Sequence, residues 1–276
     1  MREWTAAWWH RRLVQRLLLS GVLPDPEVRR AFATVPRHRF LPGAPLSEVY
    51  RDDVVVTRRD EVGVPLSSSS QPGMMALMLA QLGVEPGHRI LEIGAGSGYN
   101  AALLRALTGP GGSVVSVDVD PELCAAARDH LLDAGLEAEI ELADGWLGWP
   151  AGAPYDGIEV TAAATDLAPA WWDQLAASGR LVAPLRLDPE IELSVGWCRQ
   201  GEHLLAQSLT PCRFLPLRGG ADADPPPLAE SEHGRLHRLL RRRVRLTAHR
   251  GASPPAPHGA VVVRRPATTF VVEPTG

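Results

Sequence analysis

The sequence contains no lysine: all 28 basic residues are arginine, which indicates the composition bias of GC-rich coding rather than a function. Cysteine is also scarce. The three that occur are odd in number and show no metal-ligand spacing, which excludes a disulfide framework and favours a reducing cytoplasm. No apolar run is long enough to cross a membrane and no secretory signal is visible, so we expect a cytoplasmic protein. The formal net charge of −4 argues against a general nucleic-acid binder.

The chain length and its apolar content favour one folded unit. A chain of 276 residues is long enough for one large α/β domain with additions, rather than for two full domains. Its hydrophobic content of 45% and charged content of 22% are typical of a globular protein.

One strand–turn–helix stretch organises the rest of the chain. Arg89–Ile93 is a short apolar run that predicts a buried parallel strand, and a helix rich in Ala and Leu begins at Asn100. The turn between them contains three glycines: Gly94, Gly96 and Gly98. This G-x-G-x-G spacing differs from the G-x-G-x-x-G of dinucleotide sites, which bind a pyrophosphate. It therefore favours a ligand without phosphate, S-adenosylmethionine, with Glu92 beside the cationic aminoacyl end.

Two later acidic positions support this assignment. Ser113–Asp118 predicts the next strand, and Asp118 stands twenty positions after Gly98, where Rossmann-type sites place an acid that binds ribose hydroxyls. Asp144 and Gly145 follow the predicted strand 138–142, at the strand end where open α/β sheets bind ligands.

The serine run before the glycine motif is open to two interpretations. Val54–Thr57 and Gly63–Leu66 predict a strand–turn–strand pattern that leads into Ser67–Gly73 and then a helix. Ser70 lies near the start of that helix, where its hydroxyl would act as a cap contributing about 1 kcal/mol of stability. Alternatively, the hydroxyl and the backbone donors around it lie beside the ligand. His38 stands between two arginines and is interpreted as a structural or solvated residue rather than a base.

Helices and strands alternate along most of the chain. Residues 4–20 predict an amphipathic helix, and further strands are predicted at Tyr155–Ala164 and Arg180–Leu185. Ile191–Trp197 and His203–Leu209 predict an antiparallel hairpin. This order predicts an α/β fold with a mostly parallel sheet covered on both faces.

The C-terminal part of the chain differs in charge from the rest. Residues 221–276 contain nine Arg against five Asp and Glu and so carry +4, whereas the preceding residues carry −8. After a proline-rich linker at 219–227, residues 235–246 hold six arginines, which predicts a helix with a basic face or a helix that gives way to a strand. Ala260–Val263 and Thr269–Val272 predict strands.

The residues between Val22 and Leu217 resemble the protein-L-isoaspartate O-methyltransferase family. The resemblance rests on these segments: Val35–Pro42, Ser70–Pro72, Leu91–Tyr99, Asp144–Gly145, Ala153–Asp156, Val160–Ala164 and Gly179–Val182. It implies a class I, Rossmann-like, seven-stranded S-adenosylmethionine-dependent methyltransferase. It also implies that Ser70 is the active-site serine, and that Asp118 and Asp144–Gly145 contact ribose and adenine.

Two features depart from the ordinary family pattern. The chain has Leu66–Ser70 as Leu-Ser-Ser-Ser-Ser where the family has Gly-Gln-Thr-Ile-Ser, and it continues for about sixty residues past the usual end. Both resemble the divergent actinobacterial branch that modifies ribosomally made peptide natural products. We therefore divide the chain into N-terminal helices with the serine-rich loop (1–73), a methyltransferase domain (74–218) and a linker with a basic extension (219–276). The extension is expected to be an add-on that holds an acidic leader peptide, the alternative being that its strands pack on the core.

The expected activity is carboxyl O-methylation of an Asp or isoAsp residue in a peptide or protein, giving an ester that can cyclise to succinimide. A ribosomal precursor peptide is the expected substrate, with general isoaspartate repair or a small-molecule O- or N-methyltransferase as alternatives. A binding module using Arg235–Arg245 is a further alternative. Ser70 is the predicted catalytic residue, and no metal is predicted. S-adenosyl-L-methionine is predicted to be bound by Glu92, Gly94, Gly96, Gly98, Asp118, Asp144 and Gly145.

Overall fold

The computed structural model describes residues 5–219, 227–251, 255 and 257–275. Its α-helices are α1 (Ala6–Leu19), α2 (Pro26–Thr34), α3 (Leu46–Val49), α4 (Pro72–Leu82), α5 (Tyr99–Thr108), α6 (Pro121–Ala134), α7 (Pro169–Gln174) and α8 (Glu230–Leu240). Its strands are β1 (Val55–Arg59), β2 (Pro65–Ser69), β3 (Arg89–Ile93), β4 (Ser113–Asp118), β5 (Glu139–Leu142), β6 (Tyr155–Val160), β7 (Leu175–Asp188), β8 (Ile191–Gln200), β9 (His203–Pro211), β10 (Val244–Arg250), β11 (Val261–Arg264) and β12 (Thr268–Pro274).

The main sheet confirms the predicted α/β fold. Its strands, as far as the described residues go, number ten and follow the order β11-β12-β10-β9-β8-β7-β6-β3-β4-β5. The strands from β5 to β7 in this order run parallel, and those from β8 outward pair antiparallel. β3 lies between β4 and β6. The strands that follow β3 in sequence are first added on one side of it (β4 and β5) and then on the other (β6 and β7). This makes a topological switch point at the carboxyl ends of β3 and β6, where such sheets bind ligands.

The helix predicted at residues 4–20 forms as α1, and a second helix, α2, follows it; each begins after a capping residue. Thr5 caps α1 by accepting a hydrogen bond from the backbone of Trp8, and Asp25 caps α2 by accepting from Glu27 and Val28. These helices pack with α4 and α5 on one face of the sheet, where Leu17 is fully buried. A second core, which includes the tryptophans of α7, covers the other face.

The C-terminal residues belong to the main sheet, which corrects the expectation of a separate add-on. β10 pairs with β9, and β12 and β11 follow outward, so three strands widen the predicted seven-stranded sheet. Leu236 of α8 and Phe270 of β12 are fully buried, and the Phe270 ring lies 6.2 Å from that of Trp197 in β8. The structure therefore agrees with the alternative prediction, in which the C-terminal strands pack on the core. Most of the predicted linker, residues 220–226, lies outside the described residues.

The arginine-rich residues 235–246 form a helix that gives way to a strand, which is one of the two alternatives predicted from the sequence. They span the end of α8 and the start of β10, and each of their six arginines is exposed. Among the helices of the described ranges, none is both long and apolar enough to span a bilayer.

Candidate active site

A cavity of about 510 Å³ opens at the switch point, where β3, β4 and β6 end. Its floor includes Gly94 after β3, Asp118 at the end of β4 and Thr161 after β6. The serine-rich strand β2 and the start of α4 form a second side. Residues 211–218, called here the 211–218 segment, form a third. The cavity thus collects residues that are distant in sequence around the end of the central strand.

The glycine turn on the cavity floor requires glycine at two positions for different reasons. Gly94 has a φ of 102°, and a Cβ added there would collide with the Thr161 hydroxyl, which lies 3.0 and 2.8 Å from two backbone carbonyls of the turn. Gly98 has a φ of 80°, and a Cβ there would lie only 3.2 Å from Ala127 of α6. Of the three predicted glycines, Gly94 lines the cavity, while Gly96 and Gly98 shape the turn behind it.

Asp118, the residue predicted to bind ribose hydroxyls, lies on the cavity floor with its carboxylate held by backbone donors. Its Oδ2 accepts a hydrogen bond from the Gly96 backbone N–H (3.1 Å) and its Oδ1 from that of Asp120 (3.1 Å). The guanidinium of Arg218 lies 3.7 Å from Oδ1. A carboxylate offers about four acceptor positions, so these contacts fix the orientation of Asp118 and leave room for further donors.

Asp144 and Gly145 were both predicted to contact the cofactor, but only Gly145 lines the cavity. Gly145 lines the cavity, and a Cβ added to it would collide with Ile93, so only glycine fits there. Asp144 is not among the described residues that line the cavity. Its carboxylate accepts a hydrogen bond from the Trp146 backbone (2.9 Å), which fixes the turn that presents Gly145.

Glu92 does not line the cavity, which corrects its predicted position beside the ligand. It is fully buried under the glycine turn, because β3 is a central strand covered on both faces. The side-chain amide of Asn100 donates to Glu92 Oε1 (2.8 Å) and also to Glu159 Oε2 (2.8 Å), while the Ser116 hydroxyl donates to the other oxygen of Glu92. Burial raises the pKa of Glu92 to about 8 and that of Glu159 to about 7. Glu92 and Glu159, which Asn100 bridges, are therefore buried residues beneath the glycine turn rather than ligand contacts.

The serine run lies along the cavity, and the capping interpretation of Ser70 is wrong. Ser67, Ser68 and Ser70 line the cavity. The residue that precedes the first turn of α4 is Gln71, and its side chain makes no capping hydrogen bond. The Ser70 hydroxyl has no hydrogen-bond partner among the described residues, whereas the Ser70 carbonyl accepts a hydrogen bond from Arg37 (2.9 Å). The hydroxyl is thus available to a ligand in the cavity.

The sequence contained no clear signal for the 211–218 segment. Ala163, just after β6, exchanges two backbone hydrogen bonds with it (2.8 and 2.9 Å). The buried carboxylate of Glu192 accepts a hydrogen bond from the Phe214 backbone N–H (2.6 Å). Only the Val160–Ala164 motif pointed to this part of the molecule, since it contains both Thr161 and Ala163. The segment is fixed to the sheet by these contacts and closes the cavity opposite the serines.

His38 has a structural position, in keeping with its interpretation from the sequence. Its Nδ1 lies 2.7 Å from the Tyr50 hydroxyl, burial lowers its pKa, and it is not one of the residues lining the cavity. No group of three or more His, Cys, Asp or Glu side chains within the described ranges is placed to hold a metal ion.

Comparison with known proteins relates this chain to one family. The family model described as Protein-L-isoaspartate(D-aspartate) O-methyltransferase (PCMT) matches residues 9–222. Protein-L-isoaspartate O-methyltransferase 2 of Anaeromyxobacter sp. (strain Fw109-5) is 34% identical over 211 residues, which cover 76% of this chain and 83% of that protein. A solved protein-L-isoaspartate O-methyltransferase is 27% identical with a TM-score of 0.73, covering 96% of this chain and 88% of that one. This last match necessarily extends into residues 221–276.

A further solved structure, from Plasmodium falciparum and of the same description, shares the fold at 20% identity and a TM-score of 0.66. The match covers 76% of this chain and 98% of that one, which is in complex with S-adenosyl-L-homocysteine.

Proposed function

Because the chain belongs to the protein-L-isoaspartate O-methyltransferase family, we propose that this S-adenosyl-L-methionine-dependent methyltransferase esterifies the carboxylate of an isoaspartyl or aspartyl residue in a peptide or protein. One observation carries the proposal. Ser70, whose hydroxyl has no partner among the described residues, lines the cavity that also contains Gly94 of the glycine turn and Asp118. A donor for the acceptor carboxylate therefore lies in the cavity that fits the cofactor.

The cavity residues fit S-adenosylmethionine. Gly94 and Gly145 offer backbone without side chains at positions where a Cβ would collide with Thr161 or Ile93, so the floor stays open to a flat ligand. Asp118 is the residue that would hold the ribose hydroxyls. When bound, the cofactor supplies an electrophilic methyl group on a sulfonium sulfur.

The acceptor needs positioning more than it needs a base. A carboxyl group with an ordinary pKa near 4 is already an anion at neutral pH, so no residue has to remove a proton from it. The Ser70 hydroxyl donates a hydrogen bond to one carboxylate oxygen and leaves the other oxygen free to attack. Apolar lining residues, among them Val56, Leu66 and Phe214, exclude water around this contact.

The ester product reacts further without the enzyme. The backbone amide nitrogen that follows the esterified residue attacks the ester carbonyl, its proton leaves with the methoxide as methanol, and a succinimide ring forms. Water then opens the ring to an aspartyl or an isoaspartyl residue. The proposed activity therefore allows an isoaspartyl linkage to return to an aspartyl one.

Methyl transfer to matched peptides tests the proposal. Peptides of one sequence with isoAsp, Asp or Asn at a single position are incubated with S-adenosylmethionine carrying a labelled methyl group. We expect base-labile label in the isoAsp or Asp peptide and none in the Asn peptide, which lacks the carboxylate. Ser70→Ala should reduce turnover by about 100-fold, as expected for the loss of one positioned donor, while the exposed Ser47→Ala serves as a control. Transfer only to small-molecule hydroxyls or amines would refute the proposal.

A ribosomally made precursor peptide is the second candidate acceptor, favoured by the unbroken serine run beside the cavity and by exposed arginines such as Arg241, Arg242 and Arg243. An acidic leader peptide would bind these arginines. Replacing all three by glutamine should then raise the KM of a leader-bearing peptide, and about 0.15 M salt should mimic part of this effect because exposed charges are screened over about 8 Å. Equal KM values with and without the leader would exclude this candidate.

A further inference from the structure

Arg37 is a buried cation directly behind the serine run. It follows Pro36 in the short 3₁₀ turn Arg37–Phe40, and its side chain is completely buried. Among the described residues, no carboxylate lies within ion-pair distance of its guanidinium, although the charges of Asp52 and Asp53 act on it from farther away. Burial lowers its pKa. A charge buried without a counter-ion needs an explanation.

Most of the hydrogen bonds of Arg37 go to the end of the serine run. Its Nη2 donates to the carbonyls of Ser70 (2.9 Å) and Ser69 (3.2 Å), and it also lies 3.2 Å from the Ser69 hydroxyl. Two longer contacts go elsewhere, from Nη1 to the carbonyl of Arg51 (3.4 Å) and from Nη2 to that of Asp53 (3.5 Å). The remaining donor, Nε, is buried without a partner, and the guanidinium lies 5.8 Å from the centre of the Tyr99 ring.

This arrangement is poor as a source of stability. A buried guanidinium loses its hydration, an unpaired buried N–H adds a further cost, and hydrogen bonds to neutral carbonyls return only part of this. An apolar side chain of similar length would fill the same space without these costs. Since the contacts converge on Ser69 and Ser70, the arrangement favours a role in orienting those residues.

The backbone that follows the serine run is also held in place. The backbone N–H of Gly73, in the first turn of α4, donates to Asp52 Oδ1 (2.7 Å). Ser70 therefore lies between the Ser69 carbonyl, which a cation holds, and the Gly73 N–H, which an anion holds. Its backbone is fixed on both sides, while Ser70 lines the cavity and its hydroxyl has no hydrogen-bond partner among the described residues.

We propose that Arg37 is a positioning residue for methyl transfer: its guanidinium holds the carbonyls of Ser69 and Ser70, and so aims the Ser70 hydroxyl at the acceptor carboxylate. The inference rests on the proposed function of Ser70. Arg37 itself lines no part of the cavity and touches no substrate. It acts only through the serine.

A double-mutant cycle tests this role. Arg37→Met, Ser70→Ala and the double variant are compared for kcat and KM with the isoaspartyl peptide, and for S-adenosylmethionine affinity by calorimetry. We expect Arg37→Met alone to lower kcat by about 100-fold, the cost of a displaced catalytic group, with cofactor affinity within about twofold. In the Ser70→Ala background, the same change should lower kcat by less than about threefold, because coupled residues are not additive.

Two further variants separate positioning from a loss of structure. Arg265→Met is the matched control, because Arg265, like Arg37, donates to several backbone carbonyls, among them those of Thr165 (3.2 Å) and Leu187 (2.7 Å), but lies outside the cavity. It should lower the unfolding midpoint and leave kcat unchanged. Arg37→Lys keeps a buried donor and should restore part of the kcat lost in Arg37→Met. If Arg37→Met does not fold, the cycle is run with Arg37→Lys, for which the same coupling is expected.

The outcomes also distinguish this inference from the proposed function. If kcat losses from Arg37 and Ser70 multiply in the double variant, Arg37 does not act through the serine and the inference is wrong while the function stands. The same conclusion follows if Arg37→Met changes only stability. If the wild-type protein methylates no aspartyl or isoaspartyl peptide, the proposed function fails first.

Discussion

Replacing Glu92 by glutamine should make the stability of the protein less dependent on pH. Burial raises the pKa of Glu92 to about 8, whereas an unperturbed glutamate titrates near 4.5. As pH rises through 4.5, the unfolded chain loses this proton while the folded protein keeps it. The contribution of the protonated Glu92 to folding is therefore fully present below pH 4.5 and is lost as pH rises towards 8.

The size of the effect follows from the same pKa. Each pKa unit corresponds to about 1.4 kcal/mol, so Glu92 should lower the wild-type free energy of unfolding by about 3 kcal/mol between pH 5.5 and pH 9. Glutamine mimics the protonated acid, because its oxygen accepts from Asn100 and its nitrogen donates to Ser116 in the places now used by the carboxyl oxygens. Glu92→Gln should thus gain about 3 kcal/mol over the wild type across this range.

Urea unfolding at several pH values between 5.5 and 9 measures this difference. Glu139→Gln, which replaces an exposed glutamate in the edge strand β5 of the same sheet, is the control and should follow the wild type. Adding Glu159→Gln to Glu92→Gln should flatten the pH dependence further, since burial also raises the pKa of Glu159. A stability difference between Glu92→Gln and the wild type that stays constant with pH would refute the reasoning.

Three other predictions follow from the site and the sheet. Asp118→Ala should weaken S-adenosylmethionine binding by about 1.5–3 kcal/mol, tenfold or more; wild-type affinity by calorimetry in a folded variant would remove Asp118 from the site. Gly98→Ala should lower the free energy of unfolding more than Gly135→Ala does, since both have positive φ but only Gly98 is packed, against α6; equal losses in urea would contradict this. Deleting residues 221–276 should give insoluble or unfolded protein on gel filtration, because β10 to β12 belong to the main sheet; a folded, active truncation would show that they are dispensable.

The parts of the site that the sequence predicted well are those encoded locally. The strand, the turn and the helix around Gly94 are neighbours along the chain, and the place of Asp118 follows from the length of one crossover. Asp118 and Gly145 therefore lie where strand-end reasoning puts them. Long predicted elements such as α1 also formed within two residues of the expected bounds.

The residues that sequence reasoning misplaced depend on contacts across the fold. Glu92 stands next to the glycine turn in sequence, but the central place of β3 turns its side chain into the interior. Ser70 has the spacing of a helix cap, and only the actual start of α4 at Pro72 excludes that role. Arg37 belongs to the Val35–Pro42 segment that carries the family resemblance, but that pattern did not predict its contacts with Ser69 and Ser70. These contacts, like the place of the 211–218 segment, span long sequence separations.

The position of β10 has a consequence for synthesis of the chain on the ribosome. Every residue named for the cavity precedes residue 219, whereas the strand that covers the edge of β9 comes from Val244–Arg250. At about 5–20 residues per second, the two are made a few seconds apart. During that interval the outer edge of β9 presents unpaired N–H and C=O groups to the surroundings. Neighbouring nascent chains on the same messenger RNA can form intermolecular β-pairing through β9 during this interval. Pairing of β9 with the chain's own β10 ends this risk.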